Sequence, residues 1–193
     1  MKVNEIFCSL QGEGYHSGVP AVFVRLSGCN LACPFCDTQH QSGTDMSEEA
    51  IAAEAGRHKA PLLVFTGGEP ALQLTDSLVE RVKAMGFFVC VETNGTLALP
   101  EGVDWVTLSP KDAFVGSQHA PVLTHADELK VVFDGLHEPS PYRHIEVRHR
   151  FLQPCDTGDA ERNAAIVRQT VDYIQRHPEW RLSLQIHKII HIR

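Results

Sequence analysis

Three cysteines, Cys29, Cys33 and Cys36, fall within eight residues in the segment GCNLACPFCD. Their spacing is C-x3-C-x2-C, and thiols this close on one loop ask first for a metal or cluster reading. Iron–sulfur clusters are usually held by four thiolates. Three ligands on a cubane leave one iron with an open position, where a small molecule with nitrogen and oxygen donors can bind. Other readings stay open at this point. A structural zinc needs four ligands, and His40 could be the fourth. A fourth thiolate could come from Cys8, Cys90 or Cys155. Disulfides are disfavoured, because the chain is not small and its start, Met1-Lys2-Val3-Asn4-Glu5, lacks the apolar core of a secretory signal. Cys8 and Cys90 lie in apolar runs and are expected to be buried small hydrophobes.

The elements that must position this loop follow from patterning. Val3–Leu10, Ala21–Ser27, Pro61–Thr66, Phe87–Glu92, Asp104–Ser109, Glu128–Phe133, Ile145–Gln153 and Trp180–Ile186 read as strands, several of them continuously apolar. Ser47–His58 reads as a helix with Ser47 as N-cap and Glu48 and Glu49 near its positive end. Ala71–Met85 reads as another, with Leu72, Val79, Val82 and Met85 on one face and Gly86 ending it. A third spans Asp159–His177, capped by Asp159, with Val167, Val171 and Ile174 recurring at helical spacing. The stretch 112–127 reads mostly as loop. Strands without alternation imply a sheet buried on both faces, and repeated strand–helix units imply parallel strands. About six core strands are too few for a closed eight-stranded barrel. The expected fold is therefore α/β: an open partial (β/α) barrel with parallel strands and an abbreviated C-terminal half, in one domain over residues 1–193. In such folds chemistry collects on the loops after the strands. Thr66-Gly67-Gly68-Glu69-Pro70, Glu92-Thr93-Asn94-Gly95 and Ser109-Pro110-Lys111 fall at those points.

Composition narrows the function classes. The 193 residues are 43% apolar and 21% charged, as in an ordinary globular domain. A formal charge of −7 argues against a nucleic-acid binder. No apolar run approaches the roughly 20 residues needed to cross a bilayer, so a soluble, cytoplasmic protein is expected. Of eleven histidines, His58, His137 and His177 read as surface residues without a metal role, whereas His187 follows the last strand and could lie near a site.

The C-x3-C-x2-C spacing, with Phe35 just before the last cysteine, resembles the signature of the radical S-adenosylmethionine (SAM) superfamily, and Gly67-Gly68-Glu69-Pro70 resembles its GGEP motif. The resemblance implies a [4Fe-4S] cluster on Cys29, Cys33 and Cys36 whose open iron is chelated by SAM. Reduction would then release a 5′-deoxyadenosyl radical that takes a hydrogen atom from substrate. More of the chain resembles the 7-carboxy-7-deazaguanine synthase family. That match rests on Leu10-Gln11-Gly12-Glu13-Gly14, Phe23-Val24-Arg25-Leu26, Cys36-Asp37-Thr38, Glu92-Thr93-Asn94-Gly95, Ser109-Pro110-Lys111, Gln153-Pro154 and Gln185-Ile186-His187-Lys188.

The family resemblance implies 6-carboxy-5,6,7,8-tetrahydropterin as substrate. Hydrogen abstraction at C6 would start contraction of the pyrazine ring, with loss of ammonia and regeneration of SAM. It implies SAM contacts at Phe35, Cys36, Asp37, Gly68, Glu69, Ser109, Pro110, Lys111 and the turn Gln153, Pro154, Cys155, Asp156. It places substrate contacts at Leu10, Gln11, Gly12, Glu13, Arg25 and Thr66, with the chain end at Arg193 over the substrate, and Mg2+ at Thr38. Arg25 could clamp a carboxylate in bidentate fashion. On its strand it points opposite Val24 and Leu26, which also suits a surface or ion-paired residue. A flavodoxin-like electron donor and a homodimer are implied by resemblance. Two other functions compete. One is a glycyl-radical-enzyme activase, which would not need the LQGEG cradle. The other is a non-catalytic iron–sulfur or zinc binding protein.

Overall fold

The computed structural model describes residues 1–193, the side chains at 140 and 141 excepted. Nine strands form one sheet: β1 (Lys2–Leu10), β2 (Pro20–Leu26), β3 (Thr44–Asp45), β4 (Leu62–Gly67), β5 (Phe88–Thr93), β6 (Trp105–Leu108), β7 (His125–Phe133), β8 (Glu146–Pro154) and β9 (Arg181–Leu182). Their spatial order is β3-β1-β2-β4-β5-β6-β7-β8-β9. From β2 to β9 every neighbouring pair is parallel. The first strand departs from the all-parallel expectation: β1 runs antiparallel to β2, and β3 antiparallel to β1. No crossover helix separates β1 from β2, so this pair forms a hairpin-like edge.

The helices are α1 (Glu48–Ala55), α2 (Asp76–Ala84), α3 (Asp112–Val115), α4 (Ala160–Arg176) and α5 (Ile186–Ile189). Ser47 caps α1 by accepting from Ala50 N, and Asp159 caps α4 by accepting from Arg162 N. The stretch expected as one helix over 71–85 is divided. A short 3-10 turn covers Pro70–Leu72, and α2 begins only after Thr75, whose hydroxyl accepts from Leu78 N. A competent N-cap followed by Asp76 restarts the helix there. Leu72 and Met85 are consequently exposed, and the buried stripe is Leu78, Val79 and Val82. In α4 the buried stripe is Ile166, Thr170 and Tyr173, one position round from the expected Val167, Val171 and Ile174. Thr170 can be buried because its hydroxyl donates to Ile166 O at 2.8 Å. The stretch 112–127 holds α3 and the start of β7, and Trp180–Ile186 carries only the two-residue β9 before α5.

Both faces of the sheet are covered, for different reasons. On the outer face Val22, Val24, Leu26, Leu63, Phe65, Val89 and Val91 pack with Ile51, Leu78 and Val82 of α1 and α2. On the inner face Phe7, Phe23, Val64, Cys90 and Trp105 form a separate apolar layer. The period-two geometry of strands puts Arg25, Thr66, Glu92 and Lys130 on that same inner side. They form a polar layer lining a cavity of about 660 Å³. The apolar floor seals one end of the open barrel, and the polar layer faces the ligand space. Cys90 is buried as expected, whereas Cys8 is exposed on β1.

Candidate functional site

The cluster loop leaves β2 at Leu26. Its turn is pinned by two short approaches. Gly28 N donates to His40 O at 2.7 Å, and Glu69 N donates to Gly28 O at 2.8 Å. Cys29, Cys33 and Cys36 all line the 660 Å³ cavity. None is in a disulfide. Burial raises the thiol pKa of Cys29 and Cys33, and Lys111 acts in the opposite sense on both. Such thiols ionise readily only against a positive partner such as a metal centre. Among the described residues no three His, Cys, Asp or Glu side chains gather around a point where a single ion would sit. Three soft donors spread along one wall suit a multi-iron cluster held by thiolates. Phe35 packs edge-on to Phe114 of α3 with centroids 4.6 Å apart, which ties the loop to the barrel rim.

Next along the mouth, Glu69 is 1% exposed. Its carboxylate accepts from Thr93 Oγ1 at 2.7 Å, Asn94 N at 2.7 Å and Ala71 N at 3.0 Å. Glu69 thus braces the turn after β4 against the turn after β5. Asn94 Nδ2 in turn donates to Asn30 Oδ1 at 3.0 Å, reaching back to the cluster loop. Ser109 and Lys111 line the cavity rather than facing solvent. Lys111 Nζ donates to Ser109 O and Oγ, each at 2.6 Å. Burial pulls its pKa down to about 8, opposed by the charges of Cys33, Glu13 and Glu69. Pro110 is buried behind them and does not line the cavity.

The loop after β1 approaches from the other end of the barrel, because β1 is antiparallel. Its tip is stacked: Tyr15 lies on Trp105 at 4.9 Å and on His149 at 4.3 Å. Gly14 N donates to Ser183 Oγ at 3.0 Å, and Tyr15 N to Glu128 Oε2 at 2.8 Å. These contacts place Leu10, Gln11, Gly12 and Glu13 along the cavity wall. Gln11 Nε2 donates to Glu92 Oε1 at 3.0 Å, and Thr66 Oγ1 to Glu92 Oε2 at 3.2 Å. Arg25 donates through Nε to Glu5 Oε1 at 2.9 Å. Among the described residues its two terminal nitrogens carry no hydrogen bond, leaving a planar fork over Phe7.

The C-terminal segment closes the remaining side. Ile186 N donates to Gly12 O at 3.0 Å, and the His187 ring sits against Gly12. Lys188 pairs with Asp37 at 3.0 Å and Asp156 at 2.9 Å. Arg193 pairs with Glu5, and Ser9 Oγ donates to the Arg193 carbonyl at 2.6 Å. Apart from Pro110, every residue singled out from sequence for a cofactor, metal or substrate role lines this one cavity, including Thr38, Gln153, Pro154 and Cys155. The sequence gives no role to Glu5 or Lys130, and names Glu92 and Lys188 only within longer motifs. The detectable signal for Lys130 was Glu128 alternating with Lys130 in a strand expected to be buried on both faces. Of the histidines set aside, His137 is exposed, whereas His177 is half-buried and stacks on Tyr173 at 4.2 Å.

Chemically, the cavity offers soft donors and backbone groups at one end and paired hydrogen-bonding groups with a free guanidinium fork at the other. Comparison with known proteins gives the family. Residues 23–114 match the radical SAM superfamily. The 7-carboxy-7-deazaguanine synthase of Bacteroides thetaiotaomicron is 52% identical over 192 residues, covering 100% of this chain and 98% of the relative. That of Bordetella pertussis is 45% identical over 214 residues, with 98% of each chain covered. The crystal structure of QueE from Escherichia coli superposes with a TM-score of 0.74 at 30% identity, covering 96% of this chain and 94% of that one.

Proposed function

The chain belongs to the 7-carboxy-7-deazaguanine synthase family of radical SAM enzymes, and we propose that it converts 6-carboxy-5,6,7,8-tetrahydropterin to 7-carboxy-7-deazaguanine with loss of ammonia. The observation that carries this reading is the single cavity joining three thiols to a pterin-sized polar layer. Cys29, Cys33 and Cys36 would hold the [4Fe-4S] cluster. Together with SAM, the cluster supplies one hydrogen-abstracting carbon radical. The chain's own part is binding, orientation and exclusion of water.

At the mouth, the backbone of Gly67 and Gly68 and the groups of Ser109 and Lys111 would orient SAM, with Phe35, Asp37 and the turn from Gln153 to Asp156 around it. Glu69 would act mainly through its brace on Thr93 and Asn94. Deeper in, Gln11, Gly12 and Glu13 would pair with the edge of the pterin ring, and Arg25 would take the substrate carboxylate on its fork. Thr66 would lie beside the ring. Thr38 would offer its hydroxyl to Mg2+, which takes few protein ligands and completes its shell with water and substrate oxygens. Arg193 would bring the C-terminal segment over the substrate. We further assign a flavodoxin-like reductant, a homodimer, a single catalytic domain over residues 1–193 and a cytoplasmic setting. Consistent with that setting, no helix among the described residues is long and apolar enough to cross a membrane.

The test is anaerobic. The protein is reconstituted with iron and sulfide and given dithionite, SAM, Mg2+ and the pterin, and products are followed by mass spectrometry. Carboxydeazaguanine should accumulate without a matching net loss of SAM. SAM cleavage with the pterin untouched would reject the substrate and favour a protein-directed activase.

A further inference from the structure

We propose that Lys130 is a positioning residue for substrate recognition: a buried cation that fixes Glu13 as the ionised acceptor for an N–H donor of the pterin edge. The inference rests on the reading of Glu13 as a substrate contact. Lys130 is 5% exposed on the inner face of β7. Its Nζ stands 2.5 Å from Glu13 Oε2 and 3.6 Å from Glu92 Oε1. Glu128 lies two residues earlier on the same face, near enough for its charge to act on the same ammonium.

An ammonium buried this deeply is tolerated only when paired. The converse also holds, since neighbouring carboxylates without a cation cannot all ionise. The groups facing Glu13 are Lys130 and Glu128 from β7, Glu92 from β5, Gln153 from β8, Gln185 before α5, and Lys111 after β6. Burial pushes the Glu13 carboxyl up. The charge and hydrogen bond of Lys130, with bonds from Gln185 and Gln153, outweigh this and hold it well below the usual range.

The hydrogen bonds also set direction. Lys130 occupies one side of Oε2, and Gln185 Nε2 donates to Oε1 at 3.0 Å. A carboxylate oxygen accepts about two hydrogen bonds. With Lys130, Gln185 and Gln153 each bound to it, the carboxylate keeps acceptor capacity for one further donor. An ionised acceptor there suits an N–H of the ring edge, such as the exocyclic amine of a 2-amino-4-oxopyrimidine.

The experiment uses cluster-loaded Lys130→Gln and Lys130→Arg and measures pterin affinity, KM and kcat anaerobically from about pH 6 to about pH 8.5. Wild type should keep a level affinity. Lys130→Gln should bind about tenfold or more weakly at the acid end, the cost of losing a charged acceptor, and recover as pH rises and Glu13 ionises. KM should carry most of the change. Lys130→Arg keeps the charge and should retain a level profile. A folded Lys130→Gln with wild-type affinity at every pH, or one weakened equally at every pH, overturns the proposal. If Lys130→Gln does not fold, a folded Lys130→Arg with a pH-dependent affinity does so. Wild type that binds no pterin at all would instead overturn the substrate assignment.

Discussion

The α-carbon of Gly68 lies against the carbonyl of Gly28, so closely that a Cβ on Gly68 would stand 1.7 Å from that oxygen. The turn after β4 and the cluster loop after β2 are therefore in contact through backbone alone. Glu69 N donating to Gly28 O, at 2.8 Å, seals the same junction. Gly68→Ala should push the two loops apart. The clashing atom is backbone and cannot rotate away, so the cost should reach about 3 kcal/mol, the upper part of the overpacking range. Thermal melting and iron content after reconstitution would both fall. A variant with wild-type melting and full iron loading would mean that the two loops move independently.

Arg25 is predicted to act on substrate binding more than on radical generation. Its Nε is braced by Glu5 while its terminal nitrogens stay open toward the cavity. Loss of a charged bidentate contact costs on the order of 2–3 kcal/mol. Arg25→Ala should therefore raise the pterin KM roughly 30- to 100-fold, with uncoupled SAM cleavage persisting. An unchanged KM would remove Arg25 from the substrate site.

Cys33 sits between the other two thiols of the loop and lines the cavity with them. Cys33→Ala removes one of three proposed cluster ligands, and no fourth thiol stands on that loop. Iron and sulfide content should drop well below that of wild type, and turnover should fall below detection. Turnover near wild type in this variant would sink the cluster assignment.

Much of this site could be read from residue order because its parts are local. The cluster spacing, GGEP and LQGEG each lie on one short loop, and loops after strands converge by topology. What was not legible came from long-range packing. The antiparallel β1 sends the LQGEG loop in from the barrel's far end, and nothing local announces that direction. Lys130 looks like one polar residue in a strand until the curvature of the sheet brings Glu13 and Glu92 to it. Lys188 joins Asp37 and Asp156 across the chain, a pairing between segments far apart in sequence. Spacing places Leu72 on a helix, but Thr75 is the better cap and restarts the helix beyond it.

Glu128 is predicted to make stability fall with rising pH. It is 2% exposed and accepts from Tyr15 N at 2.8 Å. Burial pushes its carboxyl up to about 7, Lys130 drawing it partly back. An unfolded glutamate titrates near 4.3. Between those values the folded chain binds more protons than the unfolded one, so the contribution is complete below the lower value and is lost as pH rises through the upper. A shift of this size is worth on the order of 4 kcal/mol at most. Glu128→Gln stays neutral and keeps a carbonyl for Tyr15 N, so it should match wild type near pH 4 and melt higher near pH 8. Its melting temperature should also vary less across that window. Parallel pH profiles for the two proteins would show that Glu128 is already ionised at acid pH, held so by Lys130, and that its burial costs the fold nothing in this range.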